Sequence, residues 1–303
     1  MIMEENDAVV DGISEVVGSG IGAGIGLLLA GPAGAISGAV ASPVVAKMVK
    51  WCIKELKEKR YSSREVKNIE KVISYANADC TDDNDSEADS FDEDWFARFI
   101  SITKDIHSDN LQIIWGKILA KEIDKNGSIS LRTLDVLKNI SSEEAGIFQN
   151  LLPFVISIGD DVSVLPADKE LQKKYEINDG YYILMDSCGL MQMISHTGIT
   201  ETIEGKTTKR VIKTSDRLLS IVNSSDSEKN FSIRDIYLLT RSGKELFDLL
   251  YSEPNNNFFE DWVKRLSNSN KESHLKFEIH QRNTNENGLN GLYYTLDPIA
   301  VFE

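Results

Sequence analysis

The sequence predicts a mainly α protein with a smaller α+β C-terminal region, and three observations carry that reading. Residues 16–46 run for 31 positions without a charged side chain and contain eight glycines. From residue 91 to 155 the apolar positions recur at intervals of three and four, the period of helices with one buried face. Beyond Pro153 that period gives way to short β-branched and aromatic runs separated by turn residues. The expected organisation is a glycine-zipper-like helical hairpin with a basic flank (1–60), a helix and acidic linker (61–90), a central helical domain (91–155) and an α+β domain with a winged-helix-like part (156–303).

In the N-terminal stretch, Val9, Val10, Ile13, Val16 and Val17 have helical spacing and lead into the neutral run. Gly18, Gly22, Gly26, Ala30, Gly34, Gly38 and Ser42 then recur every fourth residue. On a helix this repeat gives a smooth stripe that lets a second backbone approach closely, and it is the expected membrane or oligomer face. Gly31-Pro32 marks the bend between two antiparallel limbs, because proline lacks a donor and clashes with the preceding turn. Each limb is about 15–18 residues, short of the roughly 20 that span a bilayer. Lys47, Lys50, Trp51 and Lys54 follow, a pattern that suits either a headgroup zone or a solvated helix face.

Residues 79–94 hold nine acids in sixteen positions and read as a solvated linker, since the glycine and terminal glutamate of a calcium loop are not in place. Next, Phe91, Trp95, Phe96, Phe99, Ile100 and Ile106 are expected to share one helix face, and Leu111, Ile114, Trp115, Ile118 and Leu119 form another, with Ser108 as the expected N-cap between them. Ser130 is placed to cap a short helix, and Ser141 to open another with Glu143 and Glu144 complementing its dipole. In the last region VSVLP, YYILM and TIEGKTTKRVIKT read as strand-like, with a turn at Gly205. IRDIYLLTRSGKELFDLL reads as strand, turn and helix capped by Thr240 or Ser242, in the manner that closes many winged-helix-like units. The segment HLKFEIHQ and the later NGLNGLYYTLD read as a hairpin around Gly288 and Gly291.

Residues 111–148 hold Trp115-Gly116-x-Ile118-Leu119-Ala120-x-Glu122 followed by Ser130-x-Arg132-Thr133-Leu134, with Leu111 and Gln112 before them and Leu137 and Phe148 after. On these residues the segment resembles domain-of-unknown-function family 2806, an uncharacterised bacterial family met in prophage and mobile-element contexts. This chain has Lys125-Asn126-Gly127 where the family pattern favours Pro-Gly before the serine. The resemblance implies a shared fold and brings no catalytic residue. Glu122 and Arg132 are the expected ion pair supporting that core.

Composition narrows the chemistry. A net charge of −15 argues against nucleic acid as a partner, because phosphate is bound mainly by Lys and Arg. Cys52, Cys80 and Cys188 are too few and too far apart for a disulfide scaffold, which points to the cytoplasm. His107, His196, His274 and His280 form no metal-binding pair and are expected at surface or capping positions. Gly18 to Gly26 lack the Gly-Lys-Ser/Thr of a phosphate loop, and Ser187-Cys188-Gly189 lacks the frame and base of a nucleophile site. No cofactor and no metal are expected. The functional expectation is a non-enzymatic, membrane-associated effector, phage-defence or toxin-like, acting as a homo-oligomer through the hairpin at the inner membrane. The alternative is a soluble regulatory protein with an unidentified protein partner, its hairpin buried in an oligomer interface. A DNA-binding regulator stands third, against the net charge.

Overall fold

The computed structural model describes residues 51, 61–79, 92–194, 198–250, 252–282, 294–295 and 297–303. Two compact units divide the chain, residues 1–142 and 143–303.

In the first unit the described helices are α1 (Ser63–Asp79), α2 (Glu93–Thr103), α3 (Asp109–Asp124) and α4 (Leu131–Lys138). A reciprocal capping box starts α1: the Ser62 N–H donates to Glu65 Oε2 at 2.8 Å, and the Glu65 N–H donates to Ser62 Oγ at 3.3 Å. The acidic run contributes to the start of α2, where Asp92 accepts from the Trp95 N–H at 3.0 Å and Glu93 and Asp94 sit in the first turn. Ser108 holds the N-cap position of α3 without a side-chain cap bond; its hydroxyl accepts from Ser142 Oγ instead. Ser130 caps α4 as expected, accepting from the Thr133 N–H.

The core of this unit is aromatic. Trp95 stacks on Phe99 at 5.3 Å between centroids, and Phe99 meets Trp115 edge-on at 5.5 Å. Helices α1 and α3 cross at Gly116, where a Cβ would lie 2.5 Å from Tyr75 Cβ and 3.0 Å from the Val72 carbonyl oxygen. Only a glycine lets the two backbones approach this closely.

In the second unit the sheet is the frame, and this corrects the expected fold class. Its elements are α5 (Ser142–Leu151), a 3-10 turn (Leu152–Phe154), β1 (Ile156–Ile158), β2 (Val162–Pro166), α6 (Lys169–Lys174), α7 (Asp179–Ser187) and β3 (Met191–Ile194). There follow β4 (Ile199–Ile203), β5 (Thr207–Lys213), β6 (Arg217–Asn223), β7 (Lys229–Ile233) and β8 (Ile236–Leu239). The described chain closes with α8 (Arg241–Leu249), α9 (Asn256–Ser269), a second 3-10 turn (Lys271–Ser273), β9 (Lys276–Gln281) and β10 (Ala300–Phe302). An eight-stranded antiparallel sheet runs β10-β9-β6-β5-β1-β2-β8-β3, with a separate β4-β7 ribbon. The protein is therefore not mainly helical with a small α+β appendage. Most of these strands are short, and key pairings join distant positions, as Arg217↔Gln281 and Val164↔Leu238 do. Local periodicity carries no trace of such partners.

Two local expectations also change. YYILM, expected as a strand, lies within helix α7, where Tyr182 and Met185 point inward at a spacing of three. A short apolar run fits either structure by period alone, and the Asn178 cap accepting from the Gly180 N–H decides it. The turn at Gly205 forms, but β4 and β5 belong to different sheets. Buried Asn223 holds that turn by donating to the Ile203, Glu204 and Ser227 carbonyls. The strand β9 forms as expected and pairs with β10, while Gly288 and Gly291 lie outside the described residues.

Candidate functional site

The residues that carry the family resemblance converge in the first unit, and their geometry is that of a scaffold. Trp115 is fully buried and Gly116 is the helix crossing. Glu122, 9% exposed at the end of α3, folds back over the following turn. One oxygen accepts from the Gly127 N–H at 2.6 Å, and the other accepts from the Ile129 N–H at 3.0 Å and Ser128 Oγ at 3.3 Å. The Ile129 carbonyl in turn accepts from Trp95 Nε1 at 2.8 Å, so one carboxylate organises the turn that receives α2. Burial pushes the Glu122 carboxyl above its ordinary range, against the pull of those three donors. The expected Glu122–Arg132 ion pair does not form: the carboxylate is occupied by the turn, and Arg132 is exposed.

In the second unit β2, α6, α7, β3, β8 and α8 assemble a winged-helix-like arrangement. The two helices sit between β2 and β3, and β8 pairs with both of those strands. The chain between β3 and β8, which holds β4 to β7, occupies the place of the wing. Leu239-Thr240-x-x-Gly243 explains itself here. Thr240 Oγ1 donates to the Gly189 carbonyl at 2.7 Å and accepts the α8 cap bond from the Gly243 N–H at 3.1 Å. A Cβ on Gly243 would lie 2.0 Å from the Leu190 carbonyl oxygen. Gly189, at φ 75°, ends α7 in the left-handed conformation, so α8 is fastened directly to the end of α7.

The outward face of α7 is acidic and apolar. Asp179, Ile183 and Asp186 lie at spacings of four and three and are all exposed, Ile183 to 67%. Beside the helix, Met193 on the edge strand β3 is 53% exposed. The cations around this unit are largely engaged: Lys169 pairs with Asp179, Lys174 with Asp261, Lys206 with Asp226 and Lys209 with Glu201. Sequence reasoning missed this face because it read YYILM as a strand; the signal was the i, i+4, i+7 spacing of Asp179, Ile183 and Asp186.

The remaining expected site residues fall as follows. Gly18, Gly22, Gly26, Ala30, Gly31, Pro32, Gly34, Gly38, Ser42, Lys47, Lys50 and Lys54 lie outside the described residues. Trp51, expected as an interfacial anchor, meets Phe96 edge-on with centroids 5.2 Å apart. Cys188 lies 3.5 Å from Glu144 Oε1, and burial raises its thiol above the ordinary value. His107 bonds Asn68 at 2.9 Å and His274 takes the left-handed cap of a 3-10 turn, but His280 is buried in β9 with Nδ1 2.9 Å from the Thr295 carbonyl. Among the described residues no group of three His, Cys, Asp or Glu side chains is placed to hold a metal, and no helix is long and apolar enough to cross a membrane.

Residues 54–263 match the model of a family described as Protein of unknown function (DUF2806). Neither the curated proteins nor the solved structures contain a match to the chain.

Proposed function

The chain belongs to the DUF2806 family of proteins of unknown function, and on that premise we propose that it is a non-enzymatic protein-interaction module. Its second unit docks a protein partner through the exposed face of α7 and the edge strand β3. The observation that carries this reading is the Asp179, Ile183, Asp186 stripe on the helix that would enter a DNA groove in a nucleic-acid-binding relative of the arrangement. Helix α7 has two acids and no base, so it would repel phosphate. The partner that fits is a protein surface combining basic side chains with an apolar contact for Ile183 and Met193.

A photo-crosslinking residue at position 183 of the full chain, expressed in its own host, tests the reading. One saturable protein adduct is expected, lost when Asp186→Lys is added and absent from a control crosslinker at the exposed Leu131. Salt-sensitive binding to random duplex DNA at nanomolar protein would sink it.

The charge-free run of residues 16–46 supports a second reading, an effector associated with the inner membrane that oligomerises through its small-residue stripe, in a phage-defence or toxin-like role within a prophage setting. Carbonate-washed membranes should retain the full chain and lose a version without residues 1–50; a full chain that stays in the supernatant removes this reading. Gly22→Leu with Gly26→Leu should lower the oligomer size measured by light scattering.

A further inference from the structure

The second unit also contains an open cleft of about 700 Å³ that the docking face does not use. Its base is apolar, formed by Leu152, Val155, Leu218 and Phe247. The lining also includes Lys213 at the end of β5, Ser215 in the turn that leads to β6, Arg282 just after β9, and Tyr294. This volume lies within the range of roughly 300–1,000 Å³ typical of small-molecule sites, which pair an apolar lining with a few polar groups.

The charges of the lining run against those of the protein. The whole chain carries −15, yet the cleft gathers two cations and one carboxylate. That carboxylate, Asp248, is already answered by Lys244 at 3.1 Å. Arg282 is anchored by its backbone N–H to the Asp216 carbonyl at 2.8 Å and by Nη1 to the Ser215 carbonyl at 3.3 Å. No carboxylate among the described residues pairs with its guanidinium, whose planar fork of five donors matches an oxyanion. Lys213 pairs with Asp160 at 2.7 Å, but Asp160 is 89% exposed. Such surface pairs contribute little, so a ligand anion can take the place of Asp160.

We propose that this cleft binds a small organic anion, with a carboxylate or phosphate head held by Arg282 and Lys213 and an apolar body on the Leu152, Val155, Leu218 and Phe247 base. A bare inorganic anion would leave the base unused, and an apolar cation would meet the wrong charge. Phe247 and Asp248 belong to α8, so the occupant touches the helix that Thr240 and Gly243 fasten to α7. The proposal uses none of the residues of the docking face and stands or falls apart from it.

Calorimetric titration of the full chain with octanoate, phenyl phosphate, inorganic phosphate and octylamine tests it. Octanoate or phenyl phosphate is expected to bind at one saturable site, at least tenfold more tightly than inorganic phosphate or octylamine, and whichever binds identifies the headgroup. Lys213→Glu should weaken that binding fivefold or more while the thermal unfolding profile stays unchanged. Ser252→Glu, which adds a negative charge elsewhere on the lining, carries the same expectation if Lys213→Glu fails to fold. The proposal is overturned if neither amphiphile saturates, if octylamine or inorganic phosphate comes within tenfold of them, or if a folded variant loses less than fivefold.

Discussion

The two units solve the same problem, closing a core, with different materials. Residues 61–142 bury aromatic rings between helices, and their polar groups serve mainly at helix ends and at one turn. Residues 143–303 bury the faces of an antiparallel sheet, and their helices are tied down by side chains that reach distant backbone. Asn270 does this at the β7 edge, where its amide accepts from the Ser232 N–H at 2.9 Å and donates to the Ser232 carbonyl at 3.2 Å. Arg265 reaches from α9 to Asp168, the cap of α6, at 2.6 Å. The comparison teaches where each unit is vulnerable: the first in its ring volumes, the second in the backbone contacts that fix its topology.

The largest test is removal of one buried ring from each side. Trp115→Ala and Phe277→Ala should each cost about 3–5 kcal/mol, the usual loss for an aromatic core truncation. Hydrogen exchange should rise across α1 to α3 for the first and across β6 and β9 for the second; an equal rise everywhere would break the comparison. Next come the two close approaches. Gly243→Ala and Gly116→Ala should each cost about 3 kcal/mol by urea unfolding. Both clashes are with atoms held by backbone: the Gly243 Cβ meets the Leu190 carbonyl oxygen at 2.0 Å, and the Gly116 Cβ meets Tyr75 Cβ at 2.5 Å and the Val72 carbonyl oxygen at 3.0 Å.

Glu122→Gln is expected to cost about 1–3 kcal/mol, because an amide offers one acceptor oxygen where the part-buried Gly127 N–H and the buried Ile129 N–H each use a different oxygen of the carboxylate. The native carboxyl has a raised pKa, so its contribution is full below the unfolded value of 4.5 and is lost as pH rises through the folded one. Urea midpoints measured from pH 4 to 7 should show that decline in the native protein and a flatter profile in the variant. Thr240→Ala should cost about 1 kcal/mol as a lost cap, again by urea unfolding.

The smallest effect belongs to Glu65. The hydrogen bond from Lys104, followed by that from the Ser62 N–H, lowers its carboxyl from 4.5 to about 2. Its contribution is therefore present above pH 4.5 and lost as pH falls toward 2, which a carboxyl-carbon NMR titration would read directly. A midpoint near 4.5 would remove the capping-box account of the start of α1.

Legibility followed the range of the interactions. Helices α2 to α5 could be read because each displays its own apolar face and, at Ser130, its own cap. The Ser62-x-x-Glu65 box that starts α1 is equally local, since both of its hydrogen bonds join residues three apart. The Leu239-Thr240-x-x-Gly243 motif announced a strand, turn and helix, but nothing nearby showed that Gly243 makes room for Leu190. The cleft was illegible for the same reason: Lys213 and Arg282 are brought together only because β6 pairs with β5 on one side and β9 on the other.

The sequence by itself determined the helical character of residues 93–151 and the strand-turn-helix at residues 236–249, since each depends on residues within a turn or two of one another; net charge and family were legible too, one as a sum over the residues and the other as a match of residue pattern. The tertiary structure alone decided the eight-stranded order, the helical state of the YYILM run, the use of Glu122 by its own turn rather than by Arg132, and the gathering of two cations over an apolar base in an acidic protein. Those outcomes depend on contacts between residues far apart in the chain, whose partners are selected by packing and hydrogen-bond geometry and not by the local period of the sequence.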